Sequence, residues 1–578
     1  MYENKAALGY QDFQKIRDNH IFYIDKTAFI KEWWENSDMV TLITRPRRFG
    51  KTLNLSMAEC FFSIRYADRS DLFEGLSIWQ TEQYRKIQGT FPVIFISFAP
   101  IKTGRIDEIK AALKQIIADV YREYRFIMEA PIFHQEDREY FTALNKKMDD
   151  ITIYTALNRL CSYLYQYYHK NVIVMLDEYD TPMQEAWIAG NWDEAADFFR
   201  NFFNYTFKTN KYLCRGLITG ITRISKESIF SDLNNLEVVT TTSDKYAASF
   251  GFTEKETFEA LCHAGLDTEQ QKVKQWYDGF TFGRQGDIYN PWSIVSFLNK
   301  KGRYETYWAN TSSNGLVNSL IQQGNPDIKK TMEELLQGKS FQAKIDEQIM
   351  LNQLAGNTNA VWSLLLATGY LKVLGVETVE PEDAGMMQYT LALTNLEVRI
   401  LFRTMIKGWF GNNPEIPYND FIKAMILDDV DAMNEYMNRI ALCSFSNFDT
   451  AKSVSGNDAP ERFYHGFVLG LMVELAGRFQ ITSNRESGFG RYDIMLVPVD
   501  QERDNAYIIE FKVHKPSKEK GLEETVKRAL HQIEEKQYAA QLISEGMSPD
   551  RIRNYGFAFA GKTCLIGSPD TAFTEESK

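Results

Sequence analysis

The chain has 578 residues, of which 44% are hydrophobic and 25% charged, the composition of an ordinary globular protein with several domains. Its formal net charge of −12 excludes a global attraction to nucleic acid or membranes, so any such contact needs a local basic patch. Six scattered cysteines without a CxxC pair argue against zinc and disulfides, and the lack of a long apolar run or a basic-then-apolar N-terminus predicts a cytoplasmic protein without signal peptide or membrane span.

A helical lead-in is expected over residues 1–38, with Asp12 as its cap, and an apolar run from Met39 to Ile43 then predicts a buried strand. A strand, a tight loop, Gly-Lys-Thr and a helix form the layout of a phosphate-binding P-loop. There the backbone N–H groups would hold phosphates, the lysine would meet the β/γ-phosphates and the hydroxyl would bind Mg²⁺. The predicted nucleotide-binding residues here are Arg45, Pro46, Arg47, Arg48, Phe49, Gly50, Lys51 and Thr52.

Arg45 stands where this motif usually has its first glycine. The alternative is therefore a basic surface turn that happens to contain Gly-Lys-Thr. After a second apolar strand at Phe91–Phe98 and a helical pattern over 105–170, the run VIVMLDEYD places Asp177 and Glu178 at the tip of a core strand. Carboxylates buried there need a cation or donors. As in P-loop enzymes, Asp177 would hold the Mg²⁺ shell and Glu178 would polarise the attacking water, although a solvated acidic turn would have the same sequence.

A fourth strand at Leu213–Gly220 leads into TGITRIS. Its Thr219, Thr222 and Arg223 could read the γ-phosphate, or they could simply cap and turn the chain. Four apolar strands alternating with helices predict a doubly wound α/β core with a largely parallel sheet and a ligand at the carboxyl ends of its strands.

Several stretches together resemble the AAA-ATPase-like family of bacterial and archaeal proteins. This family tolerates arginine at the Arg45 position, commonly carries a C-terminal PD-(D/E)XK nuclease domain, and implies a P-loop fold that binds ATP with Mg²⁺. The stretches that carry the resemblance are YIDKT (Tyr23–Thr27), RPRRFGKT (Arg45–Thr52), LDEYD (Leu176–Asp180), TGITRIS (Thr219–Ser225), SIFSDLNNL (Ser228–Leu236), WYDGF (Trp276–Phe280) and YNPWS (Tyr289–Ser293).

With this resemblance we expect an ATPase core at 1–245, a helical lid at 246–330 that could be winged-helix-like, and a helical middle region at 331–450. Aromatic residues in the lid could stack on bases, but a packed helical core is the expected use for them. Ser, Asn, Asp, Gly and Pro cluster in a connector at 447–460, which predicts a domain boundary. A final domain is expected at 455–567, followed by a disordered tail at 568–578.

A second group of candidate catalytic residues follows the connector. YDIMLV (Tyr492–Val497) and AYIIEFKV (Ala506–Val513) predict two strands that carry Asp493, and Glu510 with Lys512 on one face. In a hairpin Asp493 would meet Glu510. Two acids and a lysine suit metal-assisted hydrolysis of phosphodiesters, in which carboxylates hold Mg²⁺ or Mn²⁺ and the lysine stabilises the nucleophile.

This order resembles the PD-(D/E)XK signature, which implies Glu474 as the acid on the preceding helix and Gln532 as an auxiliary glutamine. Glu486 is a competing acid, and the roles of Arg491 and Gln532 are the least defined. Lys515, Lys518, Lys520, Lys527 and Arg528 could form a phosphate-binding edge, while a solvated surface is the default for them.

The sequence therefore predicts an α/β protein with a P-loop NTPase sheet, a helical lid and middle region, and a C-terminal α/β restriction-endonuclease-like domain. Its expected function is Mg²⁺-dependent ATP hydrolysis fused to metal-dependent cleavage of DNA or RNA, and an oligomer is left open. One alternative is an ATP-switched scaffold or signalling protein whose inactive nuclease fold only binds a partner. Another is a C-terminal fold that is purely structural.

Overall fold

The computed structural model of the protein describes residues 5–144, 148–222, 230, 233–309, 315–345, 357–378, 387–411, 418–448, 459–487 and 490–571. The chain divides into two units by its internal contacts. The N-terminal unit contains Met1–Ser312 and Gln342–Val398, and the C-terminal unit contains Ser313–Phe341 and Arg399–Lys578. Most of the predicted connector at 447–460 lies outside the described residues, and the C-terminal unit begins well before it.

A five-stranded parallel sheet organises the first part of the N-terminal unit, as the apolar strands predict. Its elements are α1 (Phe13–Asp18), α2 (Ala28–Asn36), β1 (Val40–Thr44), α3 (Lys51–Phe62), α4 (Glu82–Ile87), β2 (Val93–Ser97), α5 (Ile106–Glu123), α6 (Gln135–Ala143), α7 (Asp150–Tyr168), β3 (Val172–Asp177), α8 (Thr181–Ile188), α9 (Trp192–Phe203), β4 (Leu213–Gly220) and β5 (Leu236–Val239).

The strand order is β2-β3-β4-β1-β5, with every neighbouring pair parallel. The four predicted strands are present. The sheet also has a short, half-buried edge strand, β5, which was not predicted from the sequence. Because β4 lies between β1 and β3, the carboxyl ends of these three strands meet at one edge of the sheet. The predicted helical lead-in is only partly helical, because its described residues form α1 and α2 with irregular chain before and between them. The Asp12 carboxylate accepts a hydrogen bond from the N–H of Lys15 as the N-cap of α1.

The segment predicted as a helical lid contains helices and a small antiparallel sheet, which the pattern did not indicate because its strands have only two to five residues. The sheet order is β6-β8-β7. Its elements are β6 (Phe252–Thr253), α10 (Glu254–His263), α11 (Gln270–Tyr277), β7 (Phe280–Phe282), β8 (Gln285–Tyr289) and α12 (Pro291–Asn299).

The predicted helical middle region likewise contains a second small sheet, with strand order β10-β11-β9. The predicted passage from helix to strand over Ser363–Gly375 is present, since α15 ends just before β10 begins. The elements from residue 315 onward are α13 (Gly315–Gln322), α14 (Pro326–Leu336), β9 (Phe341–Lys344), α15 (Thr358–Ala367), β10 (Leu371–Thr378), β11 (Met387–Leu393) and α16 (Leu396–Gly411).

A second five-stranded sheet forms the centre of the C-terminal unit. Its strand order is β12-β13-β14-β15-β16, in which only the central pair β14 and β15 is parallel. The elements are α17 (Tyr418–Ile426), α18 (Val430–Phe448), α19 (Ala459–Glu474), β12 (Phe479–Ser487), β13 (Gly490–Pro498), β14 (Ala506–Val513), α20 (Leu522–Glu535), α21 (Ala540–Ser544), β15 (Ile552–Ala560) and β16 (Thr563–Gly567). Residues 572–578 of the predicted tail lie outside the described residues.

Side chains of α18 cover the edge strand β16, which explains why this unit begins before the connector. Asn434 bonds both the N–H and the carbonyl of Ile566, and Asn438 does the same for Cys564. An edge strand otherwise presents unpaired backbone groups, so α18 completes the C-terminal sheet and belongs to its unit. In the described part of the chain, no helix combines the length and apolar character needed to cross a bilayer.

Candidate active sites

The loop between β1 and α3 has the backbone geometry of an anion-binding helix start. Gly50 lies in the left-handed region with φ of +79°, and a Cβ built there would meet no atom within 4 Å. A side chain at this position would therefore be strained by the backbone rather than by crowding. The twelve-residue helix α3 begins directly afterwards at Lys51, so its free N–H groups face the space above the loop.

Lys51 is folded over this loop. Its ammonium group is buried and donates to the carbonyl oxygens of Arg45 at 2.9 Å and Pro46 at 2.8 Å. Burial lowers the pKa of Lys51 to about 8, although the nearby carboxylates of Asp177, Asp180 and Glu178 act in the opposite direction. A buried cation whose hydrogen bonds in the described structure go to two carbonyl oxygens is well placed to accept the stronger partner that a phosphate offers.

ATP affinity should consequently depend on pH. Because the free protein holds the Lys51 proton with a pKa of about 8, ATP binding above that pH must take up a proton, and affinity should fall by up to tenfold per pH unit. Titration calorimetry between about pH 7 and pH 9 measures this slope. The Lys51→Ala variant is the control, since its residual binding should lack this slope, and a flat profile in the unmodified protein would contradict the expectation.

Three residues from three elements meet beside Lys51. The Thr52 hydroxyl of α3 donates to one Asp177 oxygen at 2.7 Å, and the Thr219 hydroxyl of β4 donates to the other at 2.6 Å. Asp177 is only 1% exposed, so its carboxylate depends on these two donors. Hydroxyl and carboxylate oxygens are ligands that Mg²⁺ accepts, and the Thr52–Asp177 pair therefore fits a magnesium ion.

The two acids that follow Asp177 are Glu178 and Asp180, and they differ in the hydrogen bonds that their carboxylates accept. Asp180 is buried and accepts hydrogen bonds from the N–H groups of Ile221 and Thr222 and from the Thr222 hydroxyl, at 2.9–3.0 Å. It therefore ties the end of β3 to the end of β4. Glu178 adopts an uncommon positive φ of 50°, and its described partner is the Thr181 hydroxyl at 3.3 Å. Burial, followed by the charge of Asp177, raises the pKa of Glu178 above its usual value.

Arg45 and Phe49 do not offer their side chains to a phosphate. The guanidinium of Arg45 is fully buried, donates to the carbonyls of Thr44 at 2.9 Å and Thr240 at 2.6 Å, and lies 4.5 Å from the centre of the Phe282 ring. The Phe49 ring packs edge-on against Phe282 with centroids 5.4 Å apart. Both side chains fix the loop to the small sheet that follows, so only their backbone groups remain for nucleotide binding.

The remaining predicted loop residues are divided in their exposure. Pro46 is buried, whereas Arg47 and Arg48 are exposed. The Arg48 guanidinium lies 4.5 Å from the centre of a Trp292 ring, and the Arg47 carbonyl accepts the indole N–H of Trp308 at 3.0 Å. The predicted phosphate contact of Arg223 lies outside the described residues.

A cavity of about 580 Å³ opens beside Thr52. It runs along the face of α3 that carries Thr52, Ser56 and Glu59, and the lead-in segment around Leu8–Asp12 forms its other wall. Its size is that of a small-molecule site, and Thr52 lies at its edge.

The C-terminal sheet brings together Asp493 and Glu510, the two acids of the predicted nuclease site. Strands β13 and β14 form an antiparallel hairpin with Ile494 opposite Ile509, which places Asp493 and Glu510 next to each other at its end. Asp493 accepts the N–H of Phe511 at 2.7 Å. The prediction that these two acids meet across a hairpin is therefore confirmed by the strand register.

Glu510 is 1% exposed, and one of its carboxylate oxygens accepts hydrogen bonds from two residues that the sequence assigned to this site. Lys512 donates to that oxygen at 2.5 Å and Gln532 of α20 donates to it at 2.6 Å. The other oxygen, Oε2, is buried and has no hydrogen-bond partner among the described residues. Burial, followed by the charge of Asp493, raises the pKa of Glu510 to about 7, and burial also raises that of Asp493. A buried acid with an unsatisfied oxygen beside a half-buried acid fits a divalent cation, which would compensate their charge.

Comparison with known proteins finds matches to the two parts of the chain that carry these residues. Residues 7–230 match the family described as a predicted AAA-ATPase, and residues 459–568 match the PD-(D/E)XK nuclease superfamily. The chain joins an AAA-ATPase-like domain to a PD-(D/E)XK nuclease-superfamily domain. It is also 25% identical over 402 residues, 69% of each chain, to a protein of Azotobacter chroococcum mcd 1 described as "Uncharacterized protein in vnfD 5'region". The predicted combination of a P-loop fold with a restriction-endonuclease-like fold is thus confirmed.

The acid predicted from the helix of the nuclease domain lies elsewhere. The described partner of Glu474 is Lys407 of α16, at 3.3 Å, rather than Asp493 or Glu510. The side of α19 that approaches Asp493 carries Tyr464, whose hydroxyl donates to the Asp493 carbonyl at 2.6 Å. Because each helical residue adds about 1.5 Å, Glu474 lies about 15 Å further along the axis, which explains the difference.

Sequence reasoning missed two buried groups beside this site. His465 follows Tyr464 on α19, and its charge is one of those that act on Asp493. Glu333 of α14 lies with its Oε1 atom 3.6 Å from Nδ1 of His465. An isolated histidine in YHGF gave a weak signal, and a glutamate more than a hundred residues away in the chain gave none.

The predicted basic edge of the nuclease domain is only partly available. Lys515, Lys518, Lys520 and Lys527 are exposed, whereas Arg528 pairs with Glu519 at 2.5 Å. The side chains of the other two predicted residues, Glu486 and Arg491, lie outside the described part of the structure. The four lysines remain a candidate contact for a phosphate backbone.

In the described ranges, one trio of acids has ligand atoms within 4.8 Å of one another, and it lies in the lid rather than at either site. It consists of Glu254, Asp278 and Asp287. Lys274 already donates to Glu254 and lies 3.2 Å from Asp287, so this trio has a cation of its own.

Proposed function

We propose that this protein hydrolyses ATP with Mg²⁺ in its AAA-ATPase-like domain and cuts DNA or RNA phosphodiesters with a divalent metal in its nuclease domain. The observation that carries the nuclease proposal is the pair of the buried Glu510 and the half-buried Asp493, with Lys512 beside them and a Glu510 oxygen that lacks a hydrogen-bond partner in the described structure. A fold used only to hold a partner would gain nothing from this costly arrangement.

In the ATPase domain, the loop N–H groups and the start of α3 would hold the phosphates, and Lys51 would leave its two carbonyl partners for the β/γ-phosphates. Thr52 and Asp177 would hold Mg²⁺, which supplies charge neutralisation of the phosphates. Glu178 would accept a proton from the attacking water, for which its raised pKa is suited. Thr219 keeps its proposed role near the γ-phosphate through its bond to Asp177.

In the nuclease domain, Asp493 and Glu510 would hold Mg²⁺ or Mn²⁺, which supplies the Lewis acidity that activates water. Lys512 places its side-chain nitrogen beside Glu510 and would stabilise the charge that develops on the phosphate. Gln532 donates to Glu510 and contacts the Tyr538 hydroxyl at 2.9 Å, so it orients the carboxylate from α20.

The direct test incubates the purified protein with end-labelled DNA and RNA, with Mg²⁺ or Mn²⁺, and with and without ATP. Metal-dependent cleavage that is removed by a chelator supports the proposal. Binding of nucleic acid without cleavage under any nucleotide condition would instead favour the ATP-switched scaffold. The two sites can fail separately, because ATP hydrolysis is measured in the same samples by phosphate release.

Exchanging Glu178 for glutamine should retain ATP binding and slow hydrolysis at least tenfold, about 1.4 kcal/mol of barrier. The amide can still accept a hydrogen bond from water but has no basic oxygen to take its proton. Phosphate release under saturating ATP measures the rate, and nucleotide-dependent thermal stabilisation controls for binding. Unchanged turnover would move the role of the base to another residue.

A further inference from the structure

A short segment of the C-terminal unit, the nuclease unit, lies in the sequence between the two parts of the N-terminal unit, the ATPase unit. Residues Ser313–Phe341, with helices α13 and α14, belong to the C-terminal unit, whereas the residues on both sides of them in the chain belong to the N-terminal unit. Neither family match covers this segment, since one ends at residue 230 and the other begins at 459. The ATPase unit therefore holds both ends of the segment through the continuous backbone.

The segment is built into the nuclease unit by packing and hydrogen bonds. Helix α14 packs against α19, and its Met332 and Leu335 are fully or almost fully buried. Immediately after the helix, the Gln337 side chain donates to the carbonyl of Ile481 in β12 at 3.3 Å. These contacts make α14 a part of the nuclease core.

Glu333 is the polar centre of this contact. Its carboxylate is 4% exposed, and its Oε2 atom accepts a hydrogen bond from the Ser483 hydroxyl of β12. The Oε1 atom lies 3.6 Å from Nδ1 of His465, which is also 4% exposed. Neither Oε1 nor Nδ1 has a hydrogen-bond partner among the described residues, so each depends electrostatically on the other.

His465 lies next to a residue that contacts the two strands of the proposed nuclease site, β13 and β14. Its neighbour Tyr464 donates to the carbonyl of Asp493 at 2.6 Å, and its ring packs 4.7 Å from the ring of Phe511. A proton on His465 would also lower the pKa of Asp493. A displacement of Glu333 would therefore be felt by the part of α19 that positions the Asp493 backbone.

We infer that α14 couples the two activities, with Glu333 as a positioning residue that acts on Asp493 through His465 and Tyr464. This inference rests on the proposed function. The ATPase unit holds α13 and α14 from both ends, so a nucleotide-dependent change in that unit pulls on this segment. A buried pair responds sharply to displacement, because a separated carboxylate and imidazole lose the electrostatic compensation that each gives the other. ATP thereby changes the geometry at Asp493 without either site supplying a ligand to the other.

The decisive variant is Glu333→Gln, which keeps the shape of the side chain and its bond to Ser483 but removes the charge opposite His465. Asp504→Asn is the matched control, because Asp504 is a buried carboxylate of the same unit that pairs with Arg478 at 2.7 Å. Glu333→Asp retains the carboxylate and should restore part of the response.

Two measurements are made on each full-length variant. The cleavage rate with and without ATP should differ at least roughly fivefold in the unmodified protein and in Asp504→Asn, and less than roughly twofold in Glu333→Gln, with ATP hydrolysis unchanged. Hydrogen exchange of the α14 and α19 amides should respond to ATP in the unmodified protein, but not in Lys51→Ala, and in Glu333→Gln the response should stop at α14.

An equal ATP effect on cleavage in Glu333→Gln would overturn the coupling, as would cleavage by the unmodified protein that ATP leaves unchanged. If the unmodified protein does not cut at all, the proposed nuclease function fails but the exchange measurement still decides this inference. An ATP response in α19 that Glu333→Gln abolishes would support it, and exchange in α14 and α19 that ignores ATP would overturn it.

Discussion

Exchanging Asp493 or Glu510 for alanine is expected to lower metal-dependent cleavage at least about 100-fold, which corresponds to about 2.7 kcal/mol of barrier. The two acids are neighbours across the hairpin, and each would supply formal charge to a cation that otherwise retains most of its waters. The loss should appear in single-turnover cleavage of labelled nucleic acid and in weaker Mn²⁺ binding by calorimetry. ATP hydrolysis should continue, since Lys51, Thr52 and Asp177 belong to the other unit.

Lys512→Ala provides the matched comparison for these variants. Lys512 bonds Glu510 from the same strand but supplies no metal-binding oxygen, so its loss should slow cleavage and leave Mn²⁺ affinity nearly unchanged. If Asp493→Ala cuts as fast as the unmodified protein, the nuclease site lies elsewhere. Alanine at Glu510 also removes a buried charge, so circular dichroism must first show that the variant is folded.

Lys51→Ala should remove most of the ATP-dependent thermal stabilisation of the protein. The ammonium of Lys51 is buried beside the carbonyls of Arg45 and Pro46, where we expect the β/γ-phosphates of the nucleotide to bind. A hundredfold weaker affinity lowers the stabilisation at a fixed ATP concentration by up to about 2.7 kcal/mol. Differential scanning fluorimetry over a range of ATP–Mg²⁺ concentrations measures it.

The control is Lys86→Ala, which removes a lysine whose side chain is 74% exposed and pairs with Glu82 on the surface. Its ATP stabilisation should equal that of the unmodified protein, because exposed ion pairs contribute little. Equal stabilisation in Lys51→Ala would refute the assignment of this loop as the ATP site.

The sequence alone determined the features that depend on local pattern. Apolar runs located β1 to β4, and the period of two in AYIIEFKV placed Glu510 and Lys512 on one side of β14, whose observed bounds match the prediction. Gly50-Lys51-Thr52 marked the start of α3 because a left-handed glycine and a helix N-terminus are local backbone properties. The short strands β5 to β8 were missed because two to five residues carry too little periodicity to separate them from loops.

Only the tertiary structure decided which polar side chains serve a site and which serve the fold. Arg45 looks like a phosphate ligand in RPRRFGKT, yet its guanidinium bonds the carbonyl of Thr240, nearly two hundred residues away. Glu474 satisfies a sequence signature but lies too far along α19, while Glu333 reaches His465 from a segment outside both family matches. Burial and pairing of charges are set by groups distant in the chain, and a pattern read along the chain does not contain those distances.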